Sequence, residues 1–411
     1  MRSAALLVAL VGVVVGIVGL VSPDGVTVIR RLYFATPLGL YTAGAVRVAT
    51  GLVVLLCAPA SRAPKTLRTG LKACTACSSA LYWPRFGVTH MKLVITRACL
   101  PAALAVAALV SLGAQAPKPK HLNRAIELLE AGQPIYYTGS HNGTEGTFEA
   151  GKLDSQTWAD YISYDMEHAP YDVKGLADYM RGLAAGGPTK SGHRTPAVIV
   201  NVPVNGIDEA AVRANAWMFS QVLATGVHGI LLTHADTPGA VRAFVEMSRL
   251  PIHKQGVGKG VDEGRRGAHG TPNAAQIWGV SQQEYEDKAD AWPLNPNGEL
   301  LFGLKLEDKY ALANAEQNLK VPGIAFAEWG PGDMALSLGV RGPGNVAEKD
   351  PLMLAARAKV FAACKANKIF FLNSMNQNNV VDLIKEGVMI GPANQRAAEI
   401  GRQFTKRTMP W

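Results

Sequence analysis

Between residues 134 and 373 the chain alternates short runs rich in β-branched and aromatic residues with amphipathic helical stretches. Parallel strands must be joined by crossovers, and a helix is the usual crossover, so this rhythm predicts βαβ units around a parallel sheet. The strand candidates are 134–138, 161–166, 197–202, 229–233, 300–306, 323–328 and 368–373. Helical patterns over 173–184, 209–223, 240–248, 309–318 and 351–366 fall between them. An eighth strand is expected within 251–296, a stretch rich in Gly, Pro and charge with a short helix over 282–289. Eight such units make an α/β protein of the (β/α)8 TIM-barrel class. The irregular stretches 139–150 and 252–296 read as active-site loops that set substrate length.

Charge is distributed too unevenly for the formal net charge of +9 to describe the barrel. Of the 41 Lys and Arg, 13 lie in the first 120 residues beside a single acid, Asp24, which leaves 28 bases against 31 acids beyond. A basic chain usually raises the question of nucleic acid. Here the barrel segment is mildly acidic, so no nucleic-acid partner is expected.

The basic N-terminal third reads as membrane and export sequence. Residues 4–21 form an apolar run long enough to span a bilayer, and 38–58 form a second, interrupted by Arg47. Arg30, Arg31, Arg62, Lys65, Arg68 and Lys72 supply the basic flanks of cytoplasmic loops. At Met91 a new pattern starts: Lys92 and Arg97, an apolar stretch over 100–112, then Ala114-Gln115-Ala116. Residues 91–116 therefore resemble a secretory signal with its own initiating methionine, or else a third transmembrane helix. The expected organisation is a two-helix membrane segment over 1–90, unrelated to the rest of the chain, a signal-like segment over 91–116, a linker over 117–121 and the barrel over 122–411. The expected location is exported, periplasmic or extracellular, or membrane-anchored through the N-terminal segment if it is retained. Only Cys364 of the five cysteines lies beyond the signal, so the barrel has no internal disulfide to form. Cys74 and Cys77 have redox or zinc spacing, but no second pair accompanies them.

Barrel chemistry gathers at the C-terminal ends of the strands, and polar groups recur there. The second strand runs into Asp165-Met-Glu167-His168, the third into Asn201, and the fourth into His234 and Asp236. The fifth candidate carries Lys305 and ends at Glu307, and the sixth opens into Gly330-Pro331-Gly332-Asp333. A lone histidine or glutamate at a strand end is usually a surface or capping group. Two carboxylates from different strands, without a Cys or His-x-x-x-His pattern, point to a hard divalent cation such as Mg2+ or Mn2+. No phosphate-cradling loop, Gly-x-Ser-x-Gly elbow or dinucleotide fingerprint occurs.

These residues resemble the HpcH/HpaI aldolase and citrate lyase superfamily from about 122 to 411. Tyr164-Asp-Met-Glu-His-Ala-Pro170 is similar to its Asp-x-Glu-His-Ala-Pro signature, and Leu304-Lys-Leu-Glu307 to its Gln-x-Glu strand. Gly330-Pro-Gly-Asp-Met334, followed by Gly339, resembles its Gly-Pro-x-Asp-Leu loop, with the family's 26 residues from Glu307 to Asp333. Arg266-Gly267, Trp278-Gly279 and Tyr285 fall where the family has its Arg-Gly, Trp and Tyr elements. The resemblance implies a class II aldolase: Glu307 and Asp333 hold Mg2+, Mn2+ or Co2+, and His168 is the general base, oriented by Asp165. Asn201, His234 and Gly332 are expected to contact substrate, a small hydroxylated 2-oxo acid cleaved to pyruvate and an aldehyde. The resemblance also implies a homo-oligomer, assembled through C-terminal helices; residues 380–407 have helical character and an apolar side. The competing readings are an acyl-CoA lyase of the citrate lyase β type and a non-catalytic carboxylate-binding barrel.

Three positions depart from the family pattern. Asn201 stands where an arginine is usual, Lys305 where a glutamine is usual, and Thr233-His234 where members show proline. Lys305 and Glu307 are two apart on a strand and so share a face. Lys305 either supplies positive charge near an enolate in place of the arginine, or salt-bridges Glu307 or another acid.

Overall fold

The structure, a computed structural model, describes residues 120–139 and 146–408. The expectations for 1–90, 91–116 and the linker up to 119 lie outside the described residues, as does much of the 139–150 loop. Within them, eight parallel strands close into a barrel: β1 (Ile135–Thr138), β2 (Tyr161–Asp165), β3 (Ala197–Asn205), β4 (Gly229–Thr233), β6 (Leu300–Lys305), β7 (Phe326–Glu328), β8 (Phe370–Leu372) and β9 (Ile390–Pro392). The ring shuts where β9 pairs with β1, Ile390 opposite Ile135.

Two expectations need correction. The stretch 251–296 holds only the two-residue β5 (Ala291–Trp292), which pairs with β6 at the margin; β4 pairs directly with β6, so β5 is no stave of the barrel. The eighth stave is β9, in the stretch expected to be helical, between helices Val380–Glu386 and Gln395–Phe404. Ile-Gly-Pro is too short to display any alternation. Nor does 251–296 form active-site loops. It joins the end of helix Pro238–Ser248 to the start of β6, which puts it at the N-terminal end of the strands. Trp278 stacks on His228, just ahead of β4, and donates from its indole to the Gly226 carbonyl at 2.8 Å. Arg266, from the family's Arg-Gly element, donates to the Ala289 carbonyl and lies over the Tyr285 ring.

Strand period organises the interior. On β6 and just past its end, Leu300, Phe302, Leu304 and Leu306 face the helical layer, while Leu301 belongs to the cluster inside the barrel. Gly303, Lys305 and Glu307 share Leu301's face by alternation. Gly303 is small for a reason: a Cβ there would sit 2.3 Å from the Phe326 ring, which fills that level of the barrel. Burying one such phenylalanine contributes roughly 1.5–3 kcal/mol. Helix Arg124–Glu130 closes the N-terminal end, with Ala125, Ile126, Leu128 and Leu129 joining the interior cluster. Apolar layers thus seal the barrel below, and the polar residues of β2, β3 and β6 begin only at its upper end.

Candidate active site

Asp165 ends β2 and turns the chain. Its Oδ1 accepts from the backbone N–H groups of Glu167 (2.8 Å) and His168 (3.0 Å), an Asx-type turn that brings both side chains over the barrel mouth. The other oxygen, Oδ2, lies 2.8 Å from His168 Nδ1. A carboxylate on Nδ1 favours the tautomer with its proton there, which leaves Nε2 as the accepting nitrogen.

Three strands further round, the end of β6 delivers Lys305 and Glu307. Both are buried, and the Lys305 ammonium lies 2.6 Å from Glu167 Oε2 and 2.9 Å from Glu307 Oε2. Lys305 therefore joins the β2 turn to the end of β6, and its charge is committed to two carboxylates. Burial works against that charge, but Glu307, Glu328 and Glu167 together raise the Lys305 pKa and keep it protonated. Burial pushes the Glu307 carboxyl up to about 7, with Lys305 opposing the shift and Glu167 and Glu328 adding to it.

Asp333 reaches the same place from helix Pro331–Leu338, entered through Gly330 at φ 46. A Cβ on Gly330 would lie 2.2 Å from Glu307 Cβ, so only glycine lets this helix start so close to β6. Pro331 at the first helical position and the acid in the first turn both suit a helix start. Gly332 sits exposed on that turn, with open space where a side chain would be.

From β4 comes His234, in the left-handed region at φ 45. Its backbone N–H donates to Glu307 Oε1 at 3.1 Å, its Nε2 lies 3.9 Å from that oxygen, and its Nδ1 is 3.3 Å from Asp308 Oδ2. The hydrogen bond to Asp308 raises His234 to about 9 against its burial, with the charges of Glu307, Asp333 and Asp308 adding. Burial also raises Asp236 to about 7, Asp308 reinforcing the shift, whereas His234 and backbone donors hold Asp308 down to about 2 despite its own burial.

One donor atom from each of Glu167, His234, Glu307 and Asp333 lies within 4.8 Å of the others, and Asp165, Glu167 and His168 form a second such group. The two groups share Glu167. Three carboxylates outnumber the Lys305 ammonium and the His234 imidazole here, an excess of acid that suits a divalent cation. An ion about 2.1 Å from its ligands sets them about 3–4.2 Å apart, so the spacing suits one with little adjustment. The donors thus fit the metal that the sequence implies, with Glu307 and Asp333 together as expected.

Asn201 stands in β3 opposite Asp165 of β2, buried, and its Oδ1 has no hydrogen-bond partner among the described residues. It points into the barrel but outside both donor groups. Three acids to which the sequence assigns no role also belong to the rim. Glu167 stands there only as part of a motif, Asp308 is hidden behind Glu307, and Glu328 ends a strand without a recognisable signature.

The sequence profile described as HpcH/HpaI aldolase/citrate lyase matches residues 154–392, more than half of the chain. The hydroxypyruvate/pyruvate aldolase of Agrobacterium fabrum is 26% identical over 234 residues, covering 56% of this chain and 74% of that protein. The 2-keto-3-deoxy-L-rhamnonate aldolase of Salmonella schwarzengrund is 26% identical over 208 residues, 50% of this chain and 64% of that one. Among solved structures, a HpcH/HpaI aldolase/citrate lyase family protein from Burkholderia cenocepacia superposes with a TM-score of 0.51 at 21% identity, covering 70% of this chain and 98% of that one, which speaks for the fold. The chain belongs to the HpcH/HpaI aldolase/citrate lyase family, and its barrel is that of a carbon–carbon lyase.

Proposed function

We propose that this barrel is a metal-dependent aldolase that cleaves a small hydroxylated 2-oxo acid to pyruvate, or a related 2-oxo acid, and an aldehyde. One observation carries the reading: an Asp165–His168 pair stands beside a donor cluster in which acids outnumber bases, at the end of the barrel where such chemistry occurs. Glu307 and Asp333 would hold the cation. Bound there, a divalent ion supplies Lewis acidity for the keto group and positive charge for the enolate that develops from it.

The remaining work falls to the chain itself. His168, with Nδ1 held by Asp165, presents Nε2 to take the proton from the C4 hydroxyl. As the C3–C4 bond breaks, its electron pair passes to the enolate and the C4 carbon leaves as an aldehyde. His168 then returns the proton to C3, completing the 2-oxo acid product. Lys305 fixes the Glu167 and Glu307 carboxylates in place. Asn201 offers a buried amide to a substrate oxygen, and the first-turn N–H groups near Gly332 suit a carboxylate at a helix N-terminus.

The test is release of pyruvate by the purified full-length protein from a panel of hydroxylated 2-oxo acids, with Mg2+, Mn2+ or Co2+ and with a chelator. Chelator-sensitive cleavage of at least one substrate is expected. Turnover unaffected by the chelator would contradict the mechanism.

A further inference from the structure

We propose that His234 is a ligand in the cation site, positioned by Asp308, and that it tilts this site away from Mg2+ toward ions that accept nitrogen, such as Co2+. The inference rests on reading the rim as a cation site, and concerns which residues of this chain complete it.

Strand topology brings the groups together. β4 pairs with β6, and the Ala235 N–H donates to the Lys305 carbonyl at 3.0 Å, so the residue after β4 lies against the end of β6. His234 adopts φ 45 there, a conformation that costs a non-glycine residue about 1–3 kcal/mol and recurs where function demands it. That backbone turn aims its N–H at Glu307 Oε1 while its ring joins Glu167, Glu307 and Asp333 within 4.8 Å. Asp308 Oδ2 sits 3.3 Å from Nδ1, and Asp308 Oδ1 accepts from the backbone N–H groups of Tyr310 and Ala311, both at 2.8 Å. Asp308 is therefore a rigid acceptor behind the imidazole, holding the proton on Nδ1 and turning Nε2 inward, where a bound cation would displace its proton. A carboxylate behind a ligating imidazole is the common arrangement in metal sites, and losing it costs about 10–100-fold in affinity. Mg2+ strongly prefers an all-oxygen octahedron with several waters, whereas imidazole suits later divalent ions.

Electron spin-echo measurements on the chelator-treated full-length protein loaded with Mn2+ read the ligand directly. Nitrogen coupling to the bound Mn2+ is expected in the wild-type protein and absent in His234→Asn and His234→Gly. Both variants tolerate positive φ, and the glycine controls for an asparagine amide acting as a replacement ligand. In parallel titrations, Co2+ affinity falls by at least about 100-fold in both variants and by about 10-fold or more in Asp308→Asn, which keeps the helix cap. Mg2+ affinity changes by less than about threefold. Mn2+ bound without nitrogen coupling, or coupling that persists in both His234 variants, overturns the inference and leaves the aldolase reading standing. A protein that binds none of these ions overturns both.

Discussion

The two ends of this barrel bury charge in opposite ways. At the N-terminal end Asp160, fully buried, accepts from the Tyr136 N–H at 3.0 Å, Arg402 at 3.1 Å and Arg407 at 2.7 Å, with Arg124 at 3.4 Å. Asp290 is gripped by Arg249 at 2.6 and 3.1 Å and by Asn295 at 3.1 Å. Here cations meet or outnumber acids and each carboxylate is saturated. At the C-terminal end Glu167 and Glu307 share one lysine with Asp333 beside them, and His234 holds a strained backbone. Charge that serves only the fold is neutralised by the fold. An excess of one sign, kept in a strained setting, marks a place where something from outside completes the balance.

That contrast breaks down if mutations at the two ends behave alike. The largest effect is expected at the upper end: Glu307→Gln lowers turnover by at least about 1,000-fold, read by pyruvate release. The same change shifts unfolding free energy by no more than about 1 kcal/mol in denaturant titrations of the metal-free protein, because Glu167 still neutralises Lys305. His168→Gln should lower kcat about 100- to 10,000-fold while Mn2+ affinity stays unchanged, separating proton transfer from metal binding.

Asp160→Asn should do the reverse, costing about 3–5 kcal/mol of stability by stranding buried arginines. Burial disfavours the Asp160 charge, but Arg407, Arg402 and Arg124 outweigh it and hold the carboxyl below the ordinary aspartate range. With its folded value depressed, this residue stabilises the protein above about pH 4 and ceases to do so as pH falls through the folded value. Acid denaturation of Asp160→Asn should therefore be shallower over that window. The smallest effect is at His234: His234→Asn should change the stability of the metal-free protein by less than about 1 kcal/mol, relief of the left-handed backbone offsetting the lost contact with Asp308. A larger loss would show that the contact with Asp308 outweighs the strained backbone.

Much of this architecture is visible in the amino-acid sequence, for identifiable reasons. Seven staves show because periods of 2 and 3.6 differ, and on β6 the alternation of Leu304 and Leu306 with Lys305 and Glu307 already separates wall from lumen. β9 is invisible because three residues show no period. The misplacement of 251–296 has another cause: a polar, Gly- and Pro-rich connection looks alike at either end of a barrel. Connectivity distinguishes them, since a segment running from helix to strand belongs at the N-terminal end. The Glu307 and Asp333 pair is legible from motif spacing. The Asp308–His234–Glu307 contact is not, because it depends on β4 lying beside β6 across a long intervening stretch of chain. Lys305 has two readings by sequence, a charge near an enolate or a salt bridge to Glu307 or another acid, and its ammonium lies against Glu167 and Glu307.

Anomalous diffraction at the manganese edge, from crystals of the full-length protein grown with Mn2+, tests the central claim most directly. One peak per chain is expected at the C-terminal mouth of the barrel, within bonding distance of both Glu307 and Asp333. No peak there, or one that touches neither carboxylate, would contradict the account.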